Sequence, residues 1–185
     1  MSFAFAGKGD SSIGVHVGYG MDALGMTSKS IGIFNGVYFS GSYEYGISED
    51  FVIKGEVGAN SLSTYTKSID GSSTTIKFNR PMGVALYAGF AYTIPFGKDG
   101  RFSIDPGAGV DVLLGNITEH NFNAAIGLGI DAIVKFKISE DLAITATSRT
   151  GIPLFHTNKD YAKAIKEAGW FNFTVKSSFG VVYTL

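Results

Sequence analysis

The chain has 185 residues, no cysteine and a formal net charge of −1. This excludes a disulfide framework or thiolate metal site and gives no reason to expect a nucleic-acid partner. Charged residues make up 17% and aromatics 14%, with 25 glycines, an odd balance for a water-soluble globule, in which about a quarter of residues are charged. No apolar run approaches the roughly 18 residues a transmembrane helix needs, so a helical membrane protein is excluded as well.

One domain spanning residues 1–185 is expected. Residues 1–11 read as an N-terminal tail. The opening MSFAFAGKGD lacks the basic and long apolar regions of a signal peptide, which implies either a cytoplasmic protein or a mature form with Met1 added back. Strands are then expected at about 12–19 and 31–46. The segment Ile47, Ser48, Glu49, Asp50 follows and recurs as Ile138, Ser139, Glu140, Asp141, each copy set between runs of Val, Ile, Phe and Tyr. Side-chain parity across each copy requires a three-residue hairpin loop that pairs Ile47 with Phe51 and Ile138 with Leu142.

A strand at 51–59 comes next, then a long polar stretch over 60–81. From residue 82 to residue 96 the even positions are Met82, Val84, Leu86, Ala88, Phe90, Tyr92, Ile94 and Phe96, while the odd ones are Gly, Ala, Tyr, Thr and Pro. That alternation is the period of a strand. It recurs at 102–114, 122–138 and 170–185, with a further strand at 142–149. Eight strands result. The connectors 48–50, 97–101 and 139–141 are short, whereas 20–30, 60–81, 115–121 and 150–169 are mostly longer. An up-and-down antiparallel meander with all its short turns at one end is the predicted topology, with both termini at that end.

Eight antiparallel strands can close into a barrel. In a soluble barrel the second face of each strand would meet water and carry Lys, Glu and Thr. Here it carries Gly, Ala and Ser with scattered charges, which suits a packed lumen, so the apolar stripe is expected to face lipid. Tyr43, Tyr45, Phe51, Phe96, Phe102, Phe136 and Tyr183 form one interfacial girdle near the short turns, and Phe122, Trp170, Phe171 and Phe173 suggest a second.

The connector pattern, the run PGAGVDV within 102–114 and the closing FGVVYTL resemble the small eight-stranded bacterial outer-membrane barrels of the OmpA, OmpX and OmpW type. The resemblance covers residues 12–185. It implies a location in the bacterial outer membrane, outer-membrane lipid and lipopolysaccharide as surroundings, and the barrel assembly machinery as a folding partner. Phe179, Val181, Tyr183 and Leu185 look like the family's C-terminal assembly signal, with Leu185 where the family usually has Phe.

By parity the lumen receives Glu44, Lys54, Glu56, Asp105, Asp111, Asp131, Lys135, Arg149 and Lys176, together with His16. The hairpin registers put Glu44 opposite Lys54 and Asp131 opposite Arg149, which predicts a nearly neutral, salt-bridged interior. Gly14, Gly18, Gly32, Gly36, Gly83, Gly89, Gly107, Gly109, Gly127 and Gly129 also point in, as do Phe34, Tyr38 and Tyr87. GAGVD at 107–111 and GLGID at 127–131 lack the third glycine and following helix of a dinucleotide loop, and read as lumen packing. His120 and His156 do not match the His-x-Ser arrangement of lipid A deacylases; His16 is read as part of the lumen network, with an inner-face carboxylate as its partner if it has a catalytic role. No enzyme activity, metal or cofactor is expected.

In the last long connector, Asn158 is a plausible N-cap for a short helix ending at Gly169, with Tyr161 and Ile165 on one face and Lys159, Lys163 and Lys166 on another. That basic face could lie on lipopolysaccharide phosphates. The function read from these features is a scaffold that displays external loops, 60–81 and 150–169, for recognition or adhesion toward an extracellular ligand or host partner. The alternative is a narrow channel for ions or small hydrophobic molecules, as an OmpW-like barrel would suggest. A lipid-modifying enzyme is a more distant third.

Overall fold

The computed structural model describes residues 7–26, 30–69, 72–77, 83–97, 100–118, 121–159 and 171–185. They form the strands β1 (Ser11–Met26), β2 (Ser30–Gly46), β3 (Phe51–Ile69), β4 (Ser72–Lys77), β5 (Gly83–Tyr92), β6 (Ile94–Phe96), β7 (Phe102–Thr118), β8 (Asn121–Lys137), β9 (Leu142–His156) and β10 (Phe171–Thr184). β5 and β6 form one wall strand interrupted at Thr93, since both pair with β7 in a single register. β4 stacks on the same side of β3 as β5 does, farther from the short turns. The wall is therefore eight strands round. Each is antiparallel to its neighbours, and β1 closes the ring against β10 through a register running from Ser12 opposite Thr184 to Met26 opposite Phe171.

Both repeated tetrapeptides are tight turns at one end. Ile47 N donates to Phe51 O at 2.8 Å, and Ile138 N donates to Leu142 O at 2.8 Å. In each turn the serine hydroxyl caps the returning strand: Ser48 Oγ accepts from Phe51 N at 3.1 Å, and Ser139 Oγ accepts from Leu142 N at 3.2 Å. β1 begins and β10 ends at this end too, where Leu185 N donates to Ser11 O at 2.8 Å.

The opposite end is taller than the hydrophobic pattern predicts. β1 continues to Met26, β3 to Ile69 and β9 to His156, instead of stopping near 19, 59 and 149. Much of the expected 60–81 loop is a ribbon of β3 and β4, with Ile69 opposite Ser72. The connectors between Met26 and Ser30, and between Thr118 and Asn121, are short. The reason is physical. Alternation appears only where one strand face meets lipid and the other the lumen, and a strand that has left the bilayer can carry polar side chains on both faces. Ser72, Ser73, Thr74 and Thr75 do so, all four being exposed. Register shifts at Asn35/Gly36, Asn116/Thr118 and Ile126/Gly127 also fall toward this end, where they add local twist.

Within the alternating part the two faces separate cleanly. Val15, Ile130 and Phe179 are 69%, 61% and 71% exposed, whereas Tyr38, Ser103 and Asp105 are at most 1% exposed. A β-sheet that exposes its aliphatic side chains and buries its carboxylates is built for an apolar solvent outside. Near the short turns Tyr43, Tyr45, Phe51, Phe96, Phe102 and Tyr183 are exposed and outward. Phe51 packs edge-on against Tyr92 with centroids 5.0 Å apart, and Phe102 lies 4.6 Å from Phe136. At the taller end Phe122 and Phe155 are exposed and Phe173 is half-buried. Trp170 lies outside the described residues, as does the side chain of Phe171.

Candidate functional site: the charged lumen and the outer ribbon

Parity dictates which side chains enter the lumen, and the structure places all nine predicted charges there, each at most 9% exposed. Their partners are set by reach across the barrel. Starting near the short turns, Ser103 Oγ donates to Asp105 Oδ1 at 2.9 Å, and Lys135 Nζ lies between Asp105 Oδ2, at 2.8 Å, and Glu44. Next comes a cluster around Arg149. Its Nη2 donates to Glu56 Oε2 at 2.9 Å and approaches Asp131 Oδ2 at 3.8 Å. Its guanidinium stacks over the Tyr87 ring with the central carbon 3.8 Å from the centroid. Lys54 donates to Asp131, Tyr87 OH donates to Asp131 Oδ1 at 2.9 Å, and Tyr38 OH donates to Glu56. Farthest from the turns, Lys176 Nζ reaches both oxygens of Asp111, at 3.0 and 3.2 Å.

The predicted registers hold: Glu44 lies opposite Lys54 in β2 and β3, and Asp131 opposite Arg149 in β8 and β9. The pairing inferred from them needs correction. Glu44 bonds with Lys135 from across the lumen, and Lys54 is taken by Asp131. Arg149 makes its close contact with Glu56 and only a longer one with Asp131. Long side chains inside a narrow barrel reach over its diameter as easily as along its wall, so register alone does not choose among them. Lys137, which is buried at 7% exposure, is an inward base that sequence reasoning missed, although its parity with Lys135 would have found it.

His16 meets hydroxyls, where a carboxylate partner was considered. It shares a hydrogen bond with Ser42 Oγ at 2.8 Å through Nε2 and with Thr145 Oγ1 at 3.4 Å through Nδ1. His156 ends β9 and is half-buried, and His120 lies outside the described residues.

The lumen glycines make space for these groups. A Cβ at Gly58 would sit 2.5 Å from the Tyr38 ring, and one at Gly129 would sit 2.9 Å from the Tyr87 ring. At Gly107 it would lie 2.6 Å from both Asp131 and Lys54. The two tyrosines thus fill the room that the glycines leave. The segments GAGVD and GLGID lie within β7 and β8, as lumen packing rather than loops. Gly32 and Phe34 are in β2, but their side-chain surroundings lie outside the described residues.

Outside the lumen, the ribbon of β3 and β4 rises from the tall end, and β4 ends the hydrogen-bonded strand order with β3 as its neighbour. The sequence signal for this ribbon was present as Asp70-Gly71 between Thr- and Ile-containing segments, one of the dipeptides that favour two-residue hairpin loops. Lys159 is exposed at the end of the described part of the last connector. Tyr161, Lys163, Ile165 and Lys166, and with them the predicted helix, lie outside the described residues.

No family model matches the sequence, and no curated protein matches it. Solved structures do match its shape. The crystal structure of Neisserial surface protein A superposes with a TM-score of 0.59 at 13% identity, covering 94% of this chain and 96% of that one. The N-terminal β-barrel domain of Pseudomonas aeruginosa OprF gives 0.57 at 13% identity, covering 96% and 100%. The outer membrane protein OprG from the same organism gives 0.55 at 10% identity, covering 97% and 98%. Closed topology, lipid-facing wall and structural likeness agree: the chain has the fold of an eight-stranded transmembrane β-barrel, as the solved bacterial outer-membrane barrels do.

Proposed function

We propose that this barrel is a closed scaffold in the bacterial outer membrane whose task is to hold a recognition surface above the lipid. The observation that carries the reading is the ribbon of β3 and β4, with Ser72, Ser73, Thr74 and Thr75 exposed, mounted on a wall whose interior is locked by ion pairs. A polar projection on a rigid frame is the usual arrangement for binding a partner. Lys159, exposed at the same end, and Lys163 and Lys166, which follow it in the sequence, supply positive charge for lipopolysaccharide phosphates or an external ligand.

The outward row Phe179, Val181, Tyr183 and Leu185, at 71%, 42%, 48% and 70% exposure, supports its reading as the signal for the barrel assembly machinery. Tyr38 over Gly58 and Tyr87 over Gly129 favour a lumen closed to hydrated solutes over a channel. Nothing in this reading calls on catalysis.

The test is replacement of residues 64–77 by a short Gly-Ser turn in the full chain, displayed on a non-adherent Gram-negative host. The shortened barrel is expected to keep its heat-modifiable mobility on gels while the cells lose binding to matrix or host surfaces. Undiminished binding would remove the ribbon as the contact surface.

A further inference from the structure

Within the lumen the ion-paired side chains border a small polar cavity. Between the Lys135 group and the Arg149 cluster lies a cavity of about 10 Å³, lined among others by His16, Glu44, Lys54, Glu56, Thr147 and Arg149. Two of its lining residues carry buried polar atoms with no protein partner among the described residues: Arg149 Nε and Thr147 Oγ1. Their residues are 3% and 8% exposed. Arg149 uses Nη2 on Glu56 and Asp131, so its Nε–H is a separate donor. A buried charged donor left unmatched costs more than a neutral one, and this cavity lies beside such a donor.

The volume and the charges together identify what completes it. A cavity of roughly 10–15 Å³ has room for one water, which needs two to four polar partners. An anion would face the carboxylates of Glu44 and Glu56. A cation would face Lys54 and Arg149. A neutral molecule that both donates and accepts meets neither repulsion. His16 does not compete for it, because both ring nitrogens already have hydroxyl partners.

We propose that this cavity is a binding site for a single water molecule, which accepts a hydrogen bond from Arg149 Nε–H and bonds to Thr147 Oγ1. Enclosed by ion pairs on either side, that water is a component of the closed interior and not part of a path through it. It exchanges with bulk only when the Arg149 cluster opens.

The test is a high-resolution crystal structure of the refolded full chain grown in rubidium bromide, with nuclear Overhauser measurements on the Arg149 Nε–H proton in detergent micelles. One oxygen-sized peak within hydrogen-bond distance of both atoms, without anomalous signal, is expected, together with a cross-peak from Arg149 Nε–H to a long-lived water. An empty cavity, or an anomalous peak from rubidium or bromide at this position, overturns the proposal. Thr147→Val should reduce the water cross-peak several-fold while Thr147→Ser retains it; an unchanged cross-peak in the valine variant would overturn Thr147 as a ligand. The wild-type measurements decide the matter even if the valine variant fails to refold.

Discussion

Removing the Arg149 guanidinium tests the lumen network most directly. Arg149→Ala deletes the 2.9 Å bond to Glu56, the 3.8 Å approach to Asp131 and the stack on Tyr87. Asp131 keeps Lys54 and the Tyr87 hydroxyl, but among the described residues Glu56 is left with only the Tyr38 hydroxyl. Two unit charges about 4 Å apart attract by about 4 kcal/mol at an effective dielectric constant of about 20, and breaking one partner of a buried pair typically costs about 3–5 kcal/mol. The loss of the stack adds up to about 2 kcal/mol where the ring contact is desolvated, and relaxation of Glu56 toward the cavity offsets part of it, so a net loss of about 3–5 kcal/mol is expected. With a denaturant slope of about 2 kcal/mol/M, the urea midpoint of the barrel refolded in lipid vesicles should fall by roughly 1.5–2.5 M. Glu56→Gln in the same chain should recover more than half of that fall, because it removes the stranded charge while keeping the acceptor for Tyr38. A midpoint unchanged within about 0.25 M in the single variant, or no recovery in the double variant, would refute the ion-pair account.

Enlarging a lumen glycine should be costly where a tyrosine fills its space: Gly58→Leu is expected to destabilise the barrel by about 1–3 kcal/mol or more, read from the same urea titration. On the opposite face, Ile130→Lys places a charge in the outward stripe at 61% exposure and should cost about 2–4 kcal/mol if that stripe meets the bilayer midplane, whereas an unchanged midpoint would place Ile130 outside the hydrocarbon. Ser48→Ala removes the hydroxyl that accepts from Phe51 N and should cost about 0.5–1.5 kcal/mol, with Ser139→Ala behaving alike because the second turn has the same geometry. Purified barrel in planar bilayers should give no steady unitary conductance, and reproducible currents that vanish on enlarging Gly109 or Gly129 would restore the channel reading.

What could be read from the sequence divides along the bilayer boundary. Inside it, each residue faces one of two unlike solvents, so parity alone placed Glu44, Lys54 and the other predicted charges in the lumen and Phe179 in the lipid-facing stripe. The two tetrapeptide turns fixed the registers of β2 with β3 and β8 with β9. Beyond the bilayer that contrast vanishes, and the extension of β3 is held with β2 and β4 by ladder hydrogen bonds that leave no periodic trace. The pairing of Lys135 with Glu44 was illegible for a different reason. It joins residues 91 positions apart across the barrel's interior, and no local rule fixes which of several inward carboxylates a lysine will reach.

The seam between β1 and β10 carries a consequence for how the ring comes to exist. Every other wall contact joins strands that follow each other in the chain, but this one pairs Ser12 with Thr184, so its loop-closure entropy is the largest in the molecule and its formation is expected last. Until then the sheet has two open edges in need of hydrogen-bond partners, a state that hydrocarbon penalises heavily. Since Leu185 N already donates to Ser11 O at 2.8 Å, a short peptide could join the end of β10 to the start of β1. Cutting the chain at the turn between Ile138 and Leu142 would then move the seam to β8 and β9 without altering the finished wall. Such a permutant should reach the same barrel by a different order of closure, which separates the cost of sealing the ring from the stability of the sealed ring.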